Sequence, residues 1–175
     1  MPVNRKGLAG AGLLLTGVLI AAQTLCALPL QAQDKTVPKK KAVAPLALTA
    51  KTDHPTYHAD SAMRFTLAAK NTTQMDIPVR FNNGQHYDFV LFRGKDAKGE
   101  KIWQWSKGMM FTMALGSILV KPSKPLEFTE TYCPGVGGMP ALASGFYTVT
   151  ATLKGAARTI PPISMPSAST TFQID

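Results

Sequence analysis

From residue 46 onward the hydrophobic pattern has a period of two. Leu46, Leu48 and Ala50 alternate with Ala47, Thr49 and Lys51, and Met63, Phe65, Leu67 and Ala69 alternate with Arg64, Thr66, Ala68 and Lys70. Successive side chains of a strand point to opposite faces, so these runs predict half-buried β-strands. Ile77, Val79 and Phe81 form a third, shorter run. Pro78 inside it cannot donate a ladder hydrogen bond, which predicts an edge strand. Asn82-Asn83-Gly84 then marks a turn.

Residues 87–92 and 101–106 predict the two arms of a β-hairpin. Tyr87, Phe89 and Leu91 share one face of the first arm, and Trp103 and Trp105 share one face of the second. Gly99 is assigned the positive-φ position in the connection, where a side chain would clash. Leu126, Phe128 and Glu130 alternate with Glu127, Thr129 and Thr131. Residues 146–153 are rich in β-branched and aromatic side chains, and 170–174 close the pattern. Glycine or proline interrupts every window that could hold a long amphipathic helix. Seven or eight short strands separated by turn signals predict an all-β fold, an Ig-like antiparallel β-sandwich. The Cys…Trp…Cys framework of antibody domains is missing.

The first 45 residues follow different rules. Arg5 and Lys6 precede an uncharged apolar run from Leu8 to Ala22, and Pro29 is followed by Leu30-Gln31-Ala32. This is the pattern of a signal peptide over residues 1–32, cleaved after Ala32. Apolar character continues to Leu30, which keeps an uncleaved membrane anchor as the competing reading. Residues 33–45 carry Lys35, Lys39, Lys40 and Lys41 with two prolines and no apolar periodicity, as expected of a basic, disordered tether. The folded domain is expected over 46–175, in the periplasm, the cell envelope or outside the cell.

Charge changes the picture less than its total suggests. The 175 residues carry 19 Lys and Arg against 10 Asp and Glu, a net charge of +9. That excess raises nucleic acid or an anionic membrane as partners. The signal accounts for +2 and the tether, with four lysines and Asp34, for +3. Residues 46–175 hold 13 basic and 9 acidic side chains. No nucleic-acid partner is expected, and membrane contact only through the N-terminal signal if it stays uncleaved. Cleavage also removes Cys26 and leaves Cys133 alone, so the core must hold the fold without a disulfide. Cys133 is expected to be a buried, inert thiol.

Candidate chemistry is sparse. The chain has no nucleophile elbow, HExxH, P-loop or CxxC motif, so no catalytic residue is assigned and no enzyme is expected. Met109, Met110 and Met113 with His54, His58 and His86 have the donor types that suit copper(I). Packing of the methionines before Ala114 and Leu115 is the simpler account, and no metal or cofactor is assigned.

One constellation is more specific. Phe81-Asn82-Asn83-Gly84-Gln85-His86-Tyr87-Asp88-Phe89 is followed by Gly99, Ile102-Trp103-Gln104-Trp105-Ser106, Gly108 and Phe111. It resembles the BsuPI family of bacterial proteinase inhibitor domains, which shows a Gly-Gln-x-Tyr-Asp-Phe strand, a glycine turn and a Trp-x-Trp-Ser strand. The matching residues are Gly84, Gln85, Tyr87, Asp88, Phe89, Gly99, Trp103, Trp105 and Ser106. Gln104 and Tyr132 depart from the arginine and tryptophan usual in the family. The resemblance implies a non-enzymatic β-sandwich with a protein partner, a serine protease, bound through its loops. A rigid exposed loop would serve that role, because preorganisation lowers the entropic cost of binding. The loops expected to do so are 121–125, stiffened by proline, and 134–144, expected to be loose because of its glycines. The alternative is a structural or adhesive envelope module without inhibitory activity. Within the matching residues, Tyr87 is expected in the core, with Asp88 as a hydrogen-bond acceptor. Trp103 and Trp105 are expected in the core rather than as an exposed binding platform.

Overall fold

The computed structural model describes residues 44–157, 163–164 and 167–175. The predicted signal and the tether as far as residue 43 lie outside the described residues. There is no helix among the described residues. In chain order the strands are β1 (Leu46–Thr52), β2 (Thr56–Tyr57), β3 (Met63–Asn71), β4 (Ile77–Phe81), β5 (Tyr87–Arg93), β6 (Lys101–Gln104), β7 (Gly116–Val120), β8 (Leu126–Tyr132), β9 (Gly145–Leu153), β10 (Ala156–Ala157), β11 (Ile163–Ser164) and β12 (Ala168–Ile174). All eight strand runs expected from the hydrophobic pattern are present. The pattern missed β7 and the two-residue strands β2, β10 and β11.

One sheet has the order β1-β3-β8, and a second the order β2-β12-β9-β5-β6. Every pairing in them is antiparallel except β2 with β12. β1 and β3 pack across onto β9, and β1 also onto β12. This is an Ig-like sandwich, and the local chemistry of its corner agrees. The Tyr147 hydroxyl, near the start of β9, donates to the Ala143 carbonyl at 2.8 Å, the tie that braces the connection between sheets in such folds.

Period-two burial builds the core. On β3 the residues Met63, Phe65, Leu67 and Ala69 are fully buried, and Tyr147, Val149, Ala151 and Leu153 answer them from β9. Phe65 sits at the centre. Its ring lies 5.8 Å from Phe172, 6.3 Å from Phe89 and from Tyr132, and 6.4 Å from Trp103. Each such ring removed from water contributes about 1.5–3 kcal/mol, and this burial holds a fold that has no disulfide among the described residues.

A third sheet, β11-β10-β4-β7, continues the β5–β9 ladder past a bend at residues 82–86. The Lys154 amide donates to the His86 carbonyl at 2.9 Å across that bend. β4 therefore lies between β10 and β7 and is not the edge strand that Pro78 suggested. Among the described residues, the β10 pairs are Ala157 with Val79 and Ala156 with Arg80, and none of them asks Pro78 for a ladder bond. The strands at the two edges are β11 and β7, and after β7 the chain crosses to the other face of the sandwich as β8.

The hairpin connection also departs from expectation. Positive φ falls on Gly94, at 113°, and not on Gly99. Gly99 is needed for a different reason. A Cβ there would lie 1.8 Å from the Arg93 carbonyl oxygen, so the two backbones could not approach.

Candidate functional site

The residues of the family-like constellation do not form a surface. Most of them form the support for one. Asp88 is buried at 2 % exposure, with four partners for its carboxylate. Gln104 Nε2 donates to it at 2.7 Å, Ser106 Oγ at 2.8 Å and the Ser106 amide at 3.2 Å. Lys154 Nζ lies 3.7 Å away. Bonds to a buried carboxylate are stronger than neutral ones, so this group fixes where the chain leaves β6. The Trp105 amide adds a bond to the Phe89 carbonyl at 2.9 Å.

An aromatic row runs outward from that point. Phe128 stacks on Tyr87 with ring centroids 4.6 Å apart, Tyr87 on Trp105 at 4.4 Å, and Trp105 meets Phe111 at 5.8 Å. The Tyr87 hydroxyl donates to the Glu130 carboxylate. Burial and that bond together hold its ionisation well above the usual phenol range. Trp103 packs on Phe65 and Tyr132. Both tryptophans are half-buried against the core, so they form no exposed platform. Phe89 is fully buried.

What this support carries is the loop between β6 and β7, residues 105–115. It turns outward through Gly108, at φ 82°. The Met109 amide donates to the Ser106 carbonyl at 3.1 Å, and the Gly84 amide to the Thr112 carbonyl at 2.8 Å. Gly84 allows that approach, since a Cβ would come within 2.7 Å of Thr112 Oγ1. The Gln85 amide bonds to Asn83 Oδ1 at 2.9 Å and closes the turn beneath the loop. Phe111 faces inward. Met110 is 99 % exposed, Met113 85 % and Leu115 83 %. Packing therefore does not account for these methionines, contrary to the expectation from sequence.

A groove of about 510 Å³ separates this loop from residues 137–139. Trp103, Trp105 and Glu130 line it, with Met109 and Met139. The loop after β8 is held, not loose as expected. The Tyr132 hydroxyl donates to the Pro140 carbonyl at 2.5 Å, and the Gly135 and Met139 amides close turns at 2.9 and 3.0 Å. Leu142 is buried beneath it. Cys133 is half-buried and free, with its amide 3.1 Å from the Met139 sulfur.

Gly84, Gln85, Tyr87, Asp88, Trp105 and Ser106 thus converge at one end of the sandwich. Gly99 lies at the opposite end of the β5–β6 hairpin. Of the copper donors, His54 lies beside an acidic residue, its Nδ1 3.5 Å from the Asp53 carboxylate. Among the described residues no group of three or more His, Cys, Asp or Glu could hold a metal ion. His86 packs at a tilt on Phe81, with ring centroids 4.3 Å apart, and His54 lies edge-on to Tyr57 at 5.7 Å. The sequence reading missed the 105–115 loop. Its signal was present in Met109, Met110, Met113 and Leu115, four apolar residues packed densely between Gly108 and Gly116 without strand alternation.

Among solved structures, a cycloisomaltooligosaccharide glucanotransferase from a Paenibacillus species is 11 % identical, with a TM-score of 0.42 over 73 % of this chain and 13 % of its own. A CARDB domain from Pyrococcus furiosus, solved with di-metal ions, is 12 % identical at a TM-score of 0.39 over 74 % of this chain and 89 % of its own. The sporulation control protein Spo0M from Bacillus subtilis is 11 % identical at 0.37, over 75 % of this chain and 49 % of its own. This chain thus spans only a small part of the glucanotransferase. No curated protein matches the sequence. The family match is of another order, because it runs over residues 50–158 and takes in every strand from β2 to β10. The chain belongs to the BsuPI family, the intracellular proteinase inhibitors.

Proposed function

We propose that this domain is exported and inhibits a serine protease through the loop end of its sandwich, without catalysis of its own. The observation that carries the reading is the division of labour around residues 105–115. Family-matching side chains brace the loop from within, while its apolar outer side chains meet only water. A braced loop loses little conformational freedom on binding, as an inhibitor that is held without being processed requires. The polar groups beneath it are engaged with one another, Asp88 with Gln104 and Ser106 and Tyr87 with Glu130, which supports a binding role over a catalytic one. Export rests on the Arg5-Lys6 pair, the apolar run after it and the small residue at Ala32. It places the target in the periplasm, the cell envelope or the medium.

The test is a titration of the purified protein against a panel of subtilisin-like and chymotrypsin-like proteases. Stoichiometric inhibition with the chain left intact is the expected result. A chain that is ignored or digested by every protease of the panel overturns the proposal. Fractionation tests the export part separately, and accumulation of the uncut chain in the cytoplasm would contradict it.

A further inference from the structure

We propose that Met110 is the side chain that enters the specificity pocket of the target protease, which is therefore an enzyme with a deep, apolar pocket. This rests on the inhibitor reading above. The geometry singles out the residue. Two backbone bonds hold the loop, from the Met109 amide to Ser106 and from Gly84 to the Thr112 carbonyl. Only Met110 and Phe111 stand between them. Phe111 turns inward onto Trp105, with 5.8 Å between ring centroids, and Met110 is left outward at 99 % exposure.

A long unbranched thioether at that position gains nothing for the isolated fold, since it touches none of the core. It is flexible and polarizable, and it suits an apolar slot better than an acidic one. The neighbours fit a bound protease as well. Met113 and Leu115 continue the apolar strip on the descending limb of the loop, and the groove beside Met109 offers room for a rim of the partner. Pocket-filling residues of this kind dominate binding, while their surroundings mainly exclude water.

The experiment compares inhibition constants of the wild type, Met110→Asp, Met110→Leu and Met110→Lys against subtilisin, chymotrypsin and trypsin. Met110→Asp weakens inhibition of the apolar-pocket enzymes by more than about 100-fold, because a carboxylate must be desolvated in the pocket. Met110→Leu stays within about tenfold of the wild type. Met110→Lys shifts preference toward trypsin, whose pocket holds a carboxylate. All four proteins share one melting temperature, because the side chain is free of the fold. A wild type that inhibits while Met110→Asp inhibits equally well overturns this inference and leaves the inhibitor reading standing. So does loss of inhibition in Met113→Asp with none in Met110→Asp. A wild type inert toward all three enzymes, or cut after Met110 without inhibiting, overturns both.

Discussion

Asp88 shows how one buried charge organises a surface it never reaches. Gln104 and Ser106 satisfy its carboxylate, and among the described residues no buried side-chain nitrogen or oxygen lacks a partner. Replacing it with alanine takes the acceptor from the Ser106 amide, the Ser106 hydroxyl and the Gln104 side chain, all partly buried. Asp88→Ala should therefore lower stability by about 2–4 kcal/mol in urea unfolding. Removal of an exposed carboxylate would change it by only about 0.5 kcal/mol. The titratable groups also fix a pH window. Burial, reinforced for Tyr57 by the bond to Asp53 and for Tyr132 by nearby Tyr147, pushes both phenols up to about 12 from a usual 10.0. Between those values the unfolded chain has released protons that the folded chain keeps, so rising pH favours unfolding. The contribution is whole below pH 10 and is lost as pH climbs toward 12. Asp53 acts at the other end. Burial alone would raise its carboxyl, but hydrogen bonds from the Tyr57 hydroxyl and the Arg64 amide outweigh it and hold it below 3.8. Its contribution is present above that value and fades as pH falls through the folded one. Melting temperatures should thus hold steady from mildly acid to about pH 10 and decline beyond it, with phenolate absorbance appearing late. A phenolate signal that rises fully at the usual tyrosine value would contradict this.

The 105–115 loop depends on elements on both sides of it. β5 and β6 hold its base through Asp88 and Gln104, the bend after β4 holds its far limb through Gly84, and β8 supplies Phe128 and Glu130 beneath Tyr87. Phe111→Ala removes the inward anchor and leaves the strands intact. Inhibition should weaken by about tenfold or more, with a small loss of melting temperature. Unchanged inhibition would show that the aromatic anchor is not what orders the loop. Strand identity was legible in the sequence wherever alternation met a two-sided burial contrast, as in Met63 to Ala69 and in Tyr147 to Leu153. It was not legible in β7. There Ile118 faces inward, Leu119 stands 59 % exposed, and an apolar loop precedes them, so hydrophobicity does not report the face. Pro78 misled for a related reason. A proline reports only that its own position lacks a ladder bond, and β4 is interior because a two-residue strand pairs elsewhere along it.

At the scale of the whole molecule, the sandwich separates stability from contact. Aromatic packing around Phe65 and the tie from Tyr147 to Ala143 secure the two facing sheets. The family residues transmit that rigidity to one end, where Met110, Met113 and Leu115 stand in water. The family-like residues and their inward role could be read from the sequence, but not that they brace the 105–115 loop. Nor could the exposure of Met110 and Met113, because an exposed methionine and a core methionine are the same letter, and rules that place apolar residues inside do not report the exceptions. The most direct test is methionine oxidation by peroxide, mapped residue by residue on the free protein and on its complex with an inhibited protease. Free, Met110 and Met113 should oxidise readily, as should Met75, which is 77 % exposed in the turn before β4, at the other end of that strand from the Gly84 bend. In the complex Met110 and Met113 should be protected and Met75 should not. Equal oxidation of Met110 in the two states, or protection that falls on Met75 instead, would contradict the account.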